Sequence, residues 1–183
     1  MAIKATVFKA ALQIADMDRH YYADHTLTLA RHPSETDERM MVRLLTFALF
    51  ADEALVFGKG LSSDDEPDLW QKDLTGQIKR WIVVGLPDER SIRKACGRSE
   101  QVVVVSYGRA AGIWWRENAK DLVRLTNLEV FKLSTDATLA LAGFASRTMQ
   151  FQFSIQEGHT MVTCDAGMLT IEPQVLHDGT DNR

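Results

Sequence analysis

Residues 67–81 read Pro-Asp-Leu-Trp-Gln-Lys-Asp-Leu-Thr-Gly-Gln-Ile-Lys-Arg-Trp. This stretch predicts two short strands joined by a tight turn at the central Leu-Thr-Gly. We expect a register in which Trp70 pairs with Lys79. Because side chains alternate between the faces of a strand, this register places Asp68, Gln77 and Lys79 on one face of the sheet. A slip of one residue would separate the three groups.

The three side chains are suited to phosphate chemistry. The carboxylate of Asp68 and the amide oxygen of Gln77 are hard ligands of the kind that Mg²⁺ accepts, and the backbone carbonyl of Ile78 would assist them. The ammonium group of Lys79 would position an attacking water or stabilise charge on phosphorus. Carboxylates are scarce here, so we expect one Mg²⁺ or Mn²⁺ ion. A surface hairpin with a solvated polar face would have the same composition.

The hairpin resembles the Pro-Asp…(Asp/Glu)-x-Lys signature of the restriction-endonuclease-like nuclease superfamily. Pro67 and Asp68 match the first half, and Gln77-Ile78-Lys79 match the second half with glutamine in the acidic position. Four further segments, at residues 3–23, 29–45, 50–55 and 60–70, resemble the bacterial YaeQ family. The resemblance to the YaeQ family covers essentially the whole chain. They imply a variant of the restriction-endonuclease-like fold.

A helix is predicted from Ser34, as the capping residue, to about Phe50, with acidic residues in its first turn. On this helix Glu38 falls among apolar residues, where a carboxylate is costly unless it is paired or binds something. In the superfamily that the chain resembles, a glutamate of the first helix often completes the site. Glu38 is therefore the candidate for the additional acid, and Glu53 beyond the helix end is the competing candidate for a metal ligand.

Composition limits the partners. The chain has 183 residues, 45% of them hydrophobic and 25% charged, with a formal net charge of −4. An acidic chain can contact nucleic acid only through a local basic surface. The most basic segment is a predicted helix over residues 89–97, and it supplies the candidate nucleic-acid-binding residues Arg90, Arg93, Lys94 and Arg98.

The same composition indicates a cytoplasmic protein. Two lone cysteines are typical of a reducing compartment. No apolar run approaches the ~18 residues that a membrane span needs, and we expect no membrane association. The N-terminal residues lack the hydrophobic core of a signal peptide.

The remaining pattern predicts a single α/β domain over residues 1–183. It comprises a β-hairpin at 1–32, a nuclease-like core at 33–133, and a C-terminal helix and β-hairpin at 134–183. We expect a mixed central sheet flanked by helices. Two successive strand–helix–strand units indicate a parallel section. The last ten residues are polar and are expected to fray.

Two functions follow. The first is metal-dependent hydrolysis of phosphodiester bonds in nucleic acid, with Lys79, Asp68, Gln77 and Glu38 as catalytic residues. The second is a non-catalytic module on the same scaffold, which binds nucleic acid or a protein. The glutamine at position 77 and the acidic composition favour the second function.

Overall fold

A computed structural model describes residues 4–63 and 65–182. The strands are β1 (Thr6–Asp16), β2 (Tyr21–Arg31), β3 (Leu55–Phe57), β4 (Leu69–Lys72), β5 (Ile78–Val84), β6 (Gln101–Ser106), β7 (Leu128–Lys132), β8 (Thr148–Gln156), β9 (His159–Cys164), β10 (Gly167–Ile171) and β11 (Gln174–Asp178). The helices are α1 (Asp37–Leu49), α2 (Glu89–Arg98), α3 (Ala111–Leu122) and α4 (Thr135–Ala142), with 3-10 turns at Gly60–Ser62 and Gly179–Asn182.

The described residues form two compact units. The first unit contains residues 4–51 and 136–173, and the second contains residues 52–135 and 174–182. That residues 1–183 form a single domain stays a prediction. No helix in the described part of the chain is long and apolar enough to cross a membrane.

The first unit is built on a five-stranded sheet with the order β10-β9-β8-β1-β2. β1 pairs with β2 in antiparallel fashion and with β8 in parallel fashion. Alternate residues of β1, namely Phe8, Ala10, Leu12 and Ile14, are buried, as period-2 patterning requires for a sheet with one covered face. α1 packs on β2, where Phe47 meets His25 edge to face.

The second unit is built on a six-stranded sheet with the order β11-β7-β6-β5-β4-β3. β5, β6 and β7 run parallel to one another, which confirms the predicted parallel section. Val102 to Val105 of β6 are fully buried, because this central strand is covered on both faces. One of these faces forms a core with α2 and α3 that includes Trp81, Ile92, Val102, Trp114 and Leu128.

Three expectations need correction, although the mixed α/β class is confirmed. The terminal hairpins are not additions to one central sheet, because the parallel pairing of β1 with β8 joins them into a second sheet. The tail does not fray from residue 174, because β11 pairs with β7. The N-cap of α1 is Thr36, whose hydroxyl accepts from the Arg39 N–H at 3.1 Å. Ser34 instead contacts the His32 ring.

Candidate nucleic-acid interface

The β4–β5 hairpin has a register two residues away from the predicted one. Trp70 pairs with Trp81 and not with Lys79. Gln71 then pairs with Arg80 and Lys72 pairs with Ile78, so Lys79 lies in a bulge. A residue in a bulge is left out of the ladder and its side chain is re-aimed.

The side chain of Asp73 and the bulge at Lys79 each account for one residue of the change of register. Its Oδ1 accepts from the backbone N–H groups of Thr75 and Gln77, at 2.9 and 3.0 Å, and from the Thr75 hydroxyl. The Asp73 N–H donates to the Gln77 carbonyl, so the loop closes one residue later than predicted. An aspartate side chain that accepts hydrogen bonds from the backbone of its own turn can stabilise a loop longer than the two-residue hairpin turn, and the longer loop forms here.

Asp68 lies at the opposite end of the hairpin from Lys79. Its side chain is buried, with 4% of the residue exposed, and its Oδ2 accepts from the backbone N–H of Val84 at 2.7 Å. Val84 and Lys79 are at opposite ends of β5, which separates them by about 16 Å at the usual rise of a strand. The loop before β4 also approaches Asp68, since a Cβ at Gly60 would lie 3.2 Å from Oδ1. Asp68 therefore serves the packing of this end of the hairpin.

Gln77 and Lys79 do come together, and they meet at Glu100. The Glu100 Oε1 accepts from Lys79 Nζ at 2.6 Å and from Gln77 Nε2 at 3.1 Å. Asp73 Oδ2 lies 3.7 Å from the same ammonium group. The hydrogen bond to Glu100 raises the pKa of Lys79 above its usual value. A smaller effect of desolvation opposes the rise, and the charges of Glu100 and Asp73 add to it. Glu100 was missed in the sequence, because no motif joins residues that meet only through the parallel β5–β6 pairing.

The remaining predicted ligands have other environments. The Ile78 carbonyl accepts from the Glu100 N–H at 3.1 Å. Glu53 is exposed in the turn before β3. Glu38, in the first unit, accepts from the Thr138 hydroxyl at 2.7 Å. Among residues 4–63 and 65–182 no three His, Cys, Asp or Glu side chains are grouped to hold a metal. Asp68 and Gln77, as placed, do not fit one shared Mg²⁺ or Mn²⁺ ion.

Helix α2 presents the predicted basic residues on one exposed face. Asp88 caps the helix by accepting from the Ser91 N–H at 2.8 Å, and Ile92 and Ala95 are buried on the opposite side. All four cationic residues, Arg90, Arg93, Lys94 and Arg98, are exposed. Their spacing of three and four residues keeps them on neighbouring turns of one face.

The four cations differ in how they are engaged. Arg93 bonds Glu89, which raises the pKa of that guanidinium. Lys94 Nζ lies 3.6 Å from Asp65 Oδ1, where both groups are well exposed. Arg98 lies over the Trp81 ring, 5.3 Å from its centroid. Arg90 has no ion-pair partner within the described residues. Exposed ion pairs such as those of Arg93 and Lys94 contribute little free energy, so these cations can leave their present partners for other anions.

A row of two tryptophans between two cations continues from Arg98 onto the hairpin. Trp81 meets Trp70 edge to face at 6.0 Å, and Lys72 Nζ lies 3.6 Å from the centroid of Trp70. We call Lys72, Trp70, Trp81 and Arg98 the cation–tryptophan row. The register of the hairpin creates this row, since it sets the two tryptophans opposite each other.

Crystal structures of two bacterial proteins share this architecture. The YaeQ protein from Xanthomonas axonopodis pv. citri superposes with a TM-score of 0.93 at 54% identity, covering 95% of this chain and 99% of the other. The YaeQ protein from Pseudomonas syringae superposes with a TM-score of 0.90 at 37% identity, covering 94% and 96%. The chain therefore belongs to a class of two-sheet α/β proteins found in bacteria.

Sequence comparison identifies the family within that class. The family model described as YaeQ protein matches residues 1–173. The uncharacterized protein YaeQ of Escherichia coli K12 is 46% identical over 172 residues, which is 93% of this chain and 95% of that protein. That of Salmonella typhi is 48% identical over 159 residues, 86% and 88% of the two chains. The chain belongs to the YaeQ family, as the resemblance of its segments predicts.

Proposed function

We propose that this protein binds nucleic acid without cleaving it, on a scaffold related to the restriction-endonuclease-like fold. The observation that carries the proposal is the exposed cationic face of α2, Arg90, Arg93, Lys94 and Arg98. Phosphate neutralisation by Lys and Arg provides most of the affinity of non-specific nucleic-acid binding. The net charge of the whole chain is −4, so attraction must be local to this face.

The outer end of the cation–tryptophan row extends the cationic face with groups suited to single strands. Trp70 is half-buried and Lys72 is exposed beside it, whereas Trp81 belongs to the buried core and supports Trp70 from below. Partly exposed aromatic rings next to cations are the usual platform for unpaired bases, worth ~1–3 kcal/mol for each stacked base. Duplex DNA hides its bases from such a platform. We therefore expect tighter binding to single strands than to duplexes of equal length.

Fluorescence anisotropy with labelled single strands and duplexes tests the proposal. The wild type should bind with an affinity that falls as salt rises, with a slope of about −0.7 for each phosphate contacted. Replacing Arg90, Arg93, Lys94 and Arg98 together by alanine should weaken binding by roughly 100-fold at low salt and flatten that slope. The matched control removes the four exposed cations Arg109, Arg116, Lys120 and Arg124. No binding by the wild type, or an equal loss in the control, would overturn the proposal.

Metal-dependent phosphodiester hydrolysis is the second candidate, and it is the activity that the superfamily resemblance implies. One contact favours it: Glu100 provides, beside Lys79 and Gln77, the carboxylate that position 77 lacks. Labelled DNA and RNA incubated with Mg²⁺ or Mn²⁺ separate the two candidates. Cleavage that disappears in Lys79→Ala would replace the first function by the second. Intact substrates, together with retained binding, would support the first.

The cellular setting that we infer is the bacterial cytoplasm. Cys96 and Cys164 are both free, which suits a reducing compartment. Fractionation of a native bacterial host would test this inference, and recovery in the membrane or periplasmic fraction would contradict it.

A further inference from the structure

The strand β2 forms one edge of the five-stranded sheet in the first unit, and β1 is its one neighbour among the described strands. The three other sheet edges are short or irregular, since β10 and β11 have five residues each, β3 has three, and β11 carries a bulge. β2 has eleven residues, and its register with β1 continues without a shift. Proteins usually protect an exposed edge with prolines, lysines or bulges, because an open ladder pairs with other chains. β2 has none of these, and its edge extends over about 34 Å.

The pairing of β1 determines which backbone groups of β2 point to this edge. The Lys9 N–H donates to the Arg147 carbonyl at 2.9 Å, so the odd-numbered residues of β1 face β8. The even-numbered residues of β1 then bond the odd-numbered residues of β2, as in the pair of Leu12 with His25. The even-numbered residues of β2 therefore direct their N–H and C=O groups away from the sheet, and they are Tyr22, Asp24, Thr26, Thr28 and Ala30.

Nearly all of these outward backbone groups are available for pairing. Arg43 Nη2 donates to the Ala30 carbonyl at 3.2 Å, and no other group in the part of the chain that the structure describes hydrogen-bonds this edge. A carbonyl oxygen has two lone pairs, so that of Ala30 still accepts a second bond. A row of open N–H and C=O groups is complementary to another extended backbone, which adds to the sheet as a further strand.

The core-facing side chains of β2 are less buried than those of β1. Ala10 and Leu12 of β1 are each 1% exposed, whereas their cross-strand partners Leu27 and His25 are half-buried. The covered face of the sheet is therefore still partly open to water along its β2 edge. A further strand beside β2 would cover these side chains, and each square ångström of apolar surface that it buries contributes about 25 cal/mol.

We propose that two copies of this chain pair through β2 in antiparallel fashion, so that their five-stranded sheets form one sheet of ten strands. One register pairs all eleven residues of β2, and it places Thr26 of each copy opposite the other on the two-fold axis. Asp24 then faces Thr28 of the second copy, whose hydroxyl can donate to the carboxylate. A register centred on Asp24 would instead oppose two like charges.

The number of backbone bonds in this register fits a specific interface. Each copy provides five even-numbered residues, and each hydrogen-bonded pair exchanges two bonds, which gives about ten backbone hydrogen bonds. A typical protein interface has about ten direct hydrogen bonds. The dimer does not depend on the proposed nucleic-acid binding, because β2 and α2 belong to different units.

Sedimentation equilibrium at a series of protein concentrations tests the proposal. The wild type should have twice the mass of the chain at micromolar concentrations. Thr26→Lys should weaken dimerisation by at least about 100-fold, because two ammonium groups then meet on the axis. Ala11→Lys is the matched control, since Ala11 is the exposed cross-strand partner of Thr26 on the same face of the sheet but lies one strand away from the edge. This control should dimerise like the wild type.

Oxidative cross-linking tests the register, in a background in which Cys96 and Cys164 are replaced by serine. Thr26→Cys should form a disulfide between two copies, because the Cα atoms of a hydrogen-bonded antiparallel pair lie about 5.5 Å apart. Thr28→Cys should not, because the two substituted positions would lie about 14 Å apart along the strands.

Three results would overturn the proposal. The first is a wild type that stays monomeric up to about 100 µM, which would leave the β2 edge to a strand of another protein. The second is a dimer that persists in Thr26→Lys. The third is a dimer that dissociates in Ala11→Lys, which would place the contact on the face of the sheet. Cross-linking through Thr28→Cys but not through Thr26→Cys would overturn the register centred on Thr26.

Discussion

The carboxylate of Asp68 accepts a hydrogen bond from the backbone N–H of Val84 at 2.7 Å, and so ties the start of β4 to the end of β5. Asp68→Ala should lower the free energy of unfolding by about 2–3 kcal/mol, because it leaves a buried donor without its charged acceptor. Asp68→Asn should cost less, since an amide oxygen still accepts. Urea unfolding measures both. An unchanged midpoint for Asp68→Ala would contradict this structural role.

A buried ion pair anchors the start of α1 in the first unit. The Glu35 carboxylate accepts from Arg43 Nε at 2.7 Å and from Arg39 at 3.0 Å, and the side chains of Glu35 and Arg43 are 2% and 6% exposed. Glu35→Ala should lower the free energy of unfolding by about 3–5 kcal/mol, because it strands a buried guanidinium. The exposed Glu117→Ala on α3 should change it by no more than ~0.5 kcal/mol. Equal values for the two variants in urea would refute the expectation.

Asp18 gives the fold a dependence on acid pH. Its carboxylate accepts from the N–H groups of Gly158 and Glu157 in the β8–β9 turn, and these bonds lower the pKa of Asp18 below 3.8. Because the pKa of Asp18 is lower in the folded state, this stabilisation is complete above pH 3.8. It is lost as the pH falls through the pKa of the folded state. The difference in unfolding free energy between the wild type and Asp18→Asn should therefore shrink over that acid range. A difference that stays constant with pH would contradict the assignment.

Cys96 should be a slow nucleophile. Burial raises the pKa of the Cys96 thiol from 9.0 to about 11, despite the opposing charge of Arg93. A pKa of about 11 in place of 9.0 lowers the thiolate fraction at pH 8 by about 100-fold, and the thiolate is the reactive form. In a Cys164→Ser background, alkylation of the native protein should be slower than that of the urea-unfolded protein by about this factor. Equal rates would show that the thiol is not protected.

Local sequence patterns predicted the helices and strands of this chain, but they did not predict which distant strands pair with one another. The basic helix over residues 89–97 and the alternation of strands with helices are signals that neighbouring residues carry, and both predictions are confirmed. The second sheet depends on β1 meeting β8, which lies far along the chain. Period-2 alternation shows that each strand has one buried face, but it does not identify the partner.

In the candidate site, too, the elements were predictable from the sequence but their exact pairing was not. The hairpin, its two strands and its turn were predicted, yet the side chain of Asp73 lengthened the loop and moved the register. That change set Trp70 against Trp81, whereas Glu100 meets Lys79 through the parallel pairing of β5 with β6. The exposed cations of α2 were predictable, because helical spacing alone places them on one face.

The parallel pairing of β1 with β8 has a consequence for biosynthesis. Roughly 130 residues must leave the ribosome between the two strands, which takes on the order of 10 s at bacterial elongation rates. Throughout that interval the nascent β1–β2 hairpin offers a bare strand edge to any other extended chain. Newly made molecules thus pass through a period of vulnerability to cross-chain pairing, which ends only when the last fifth of the polypeptide arrives.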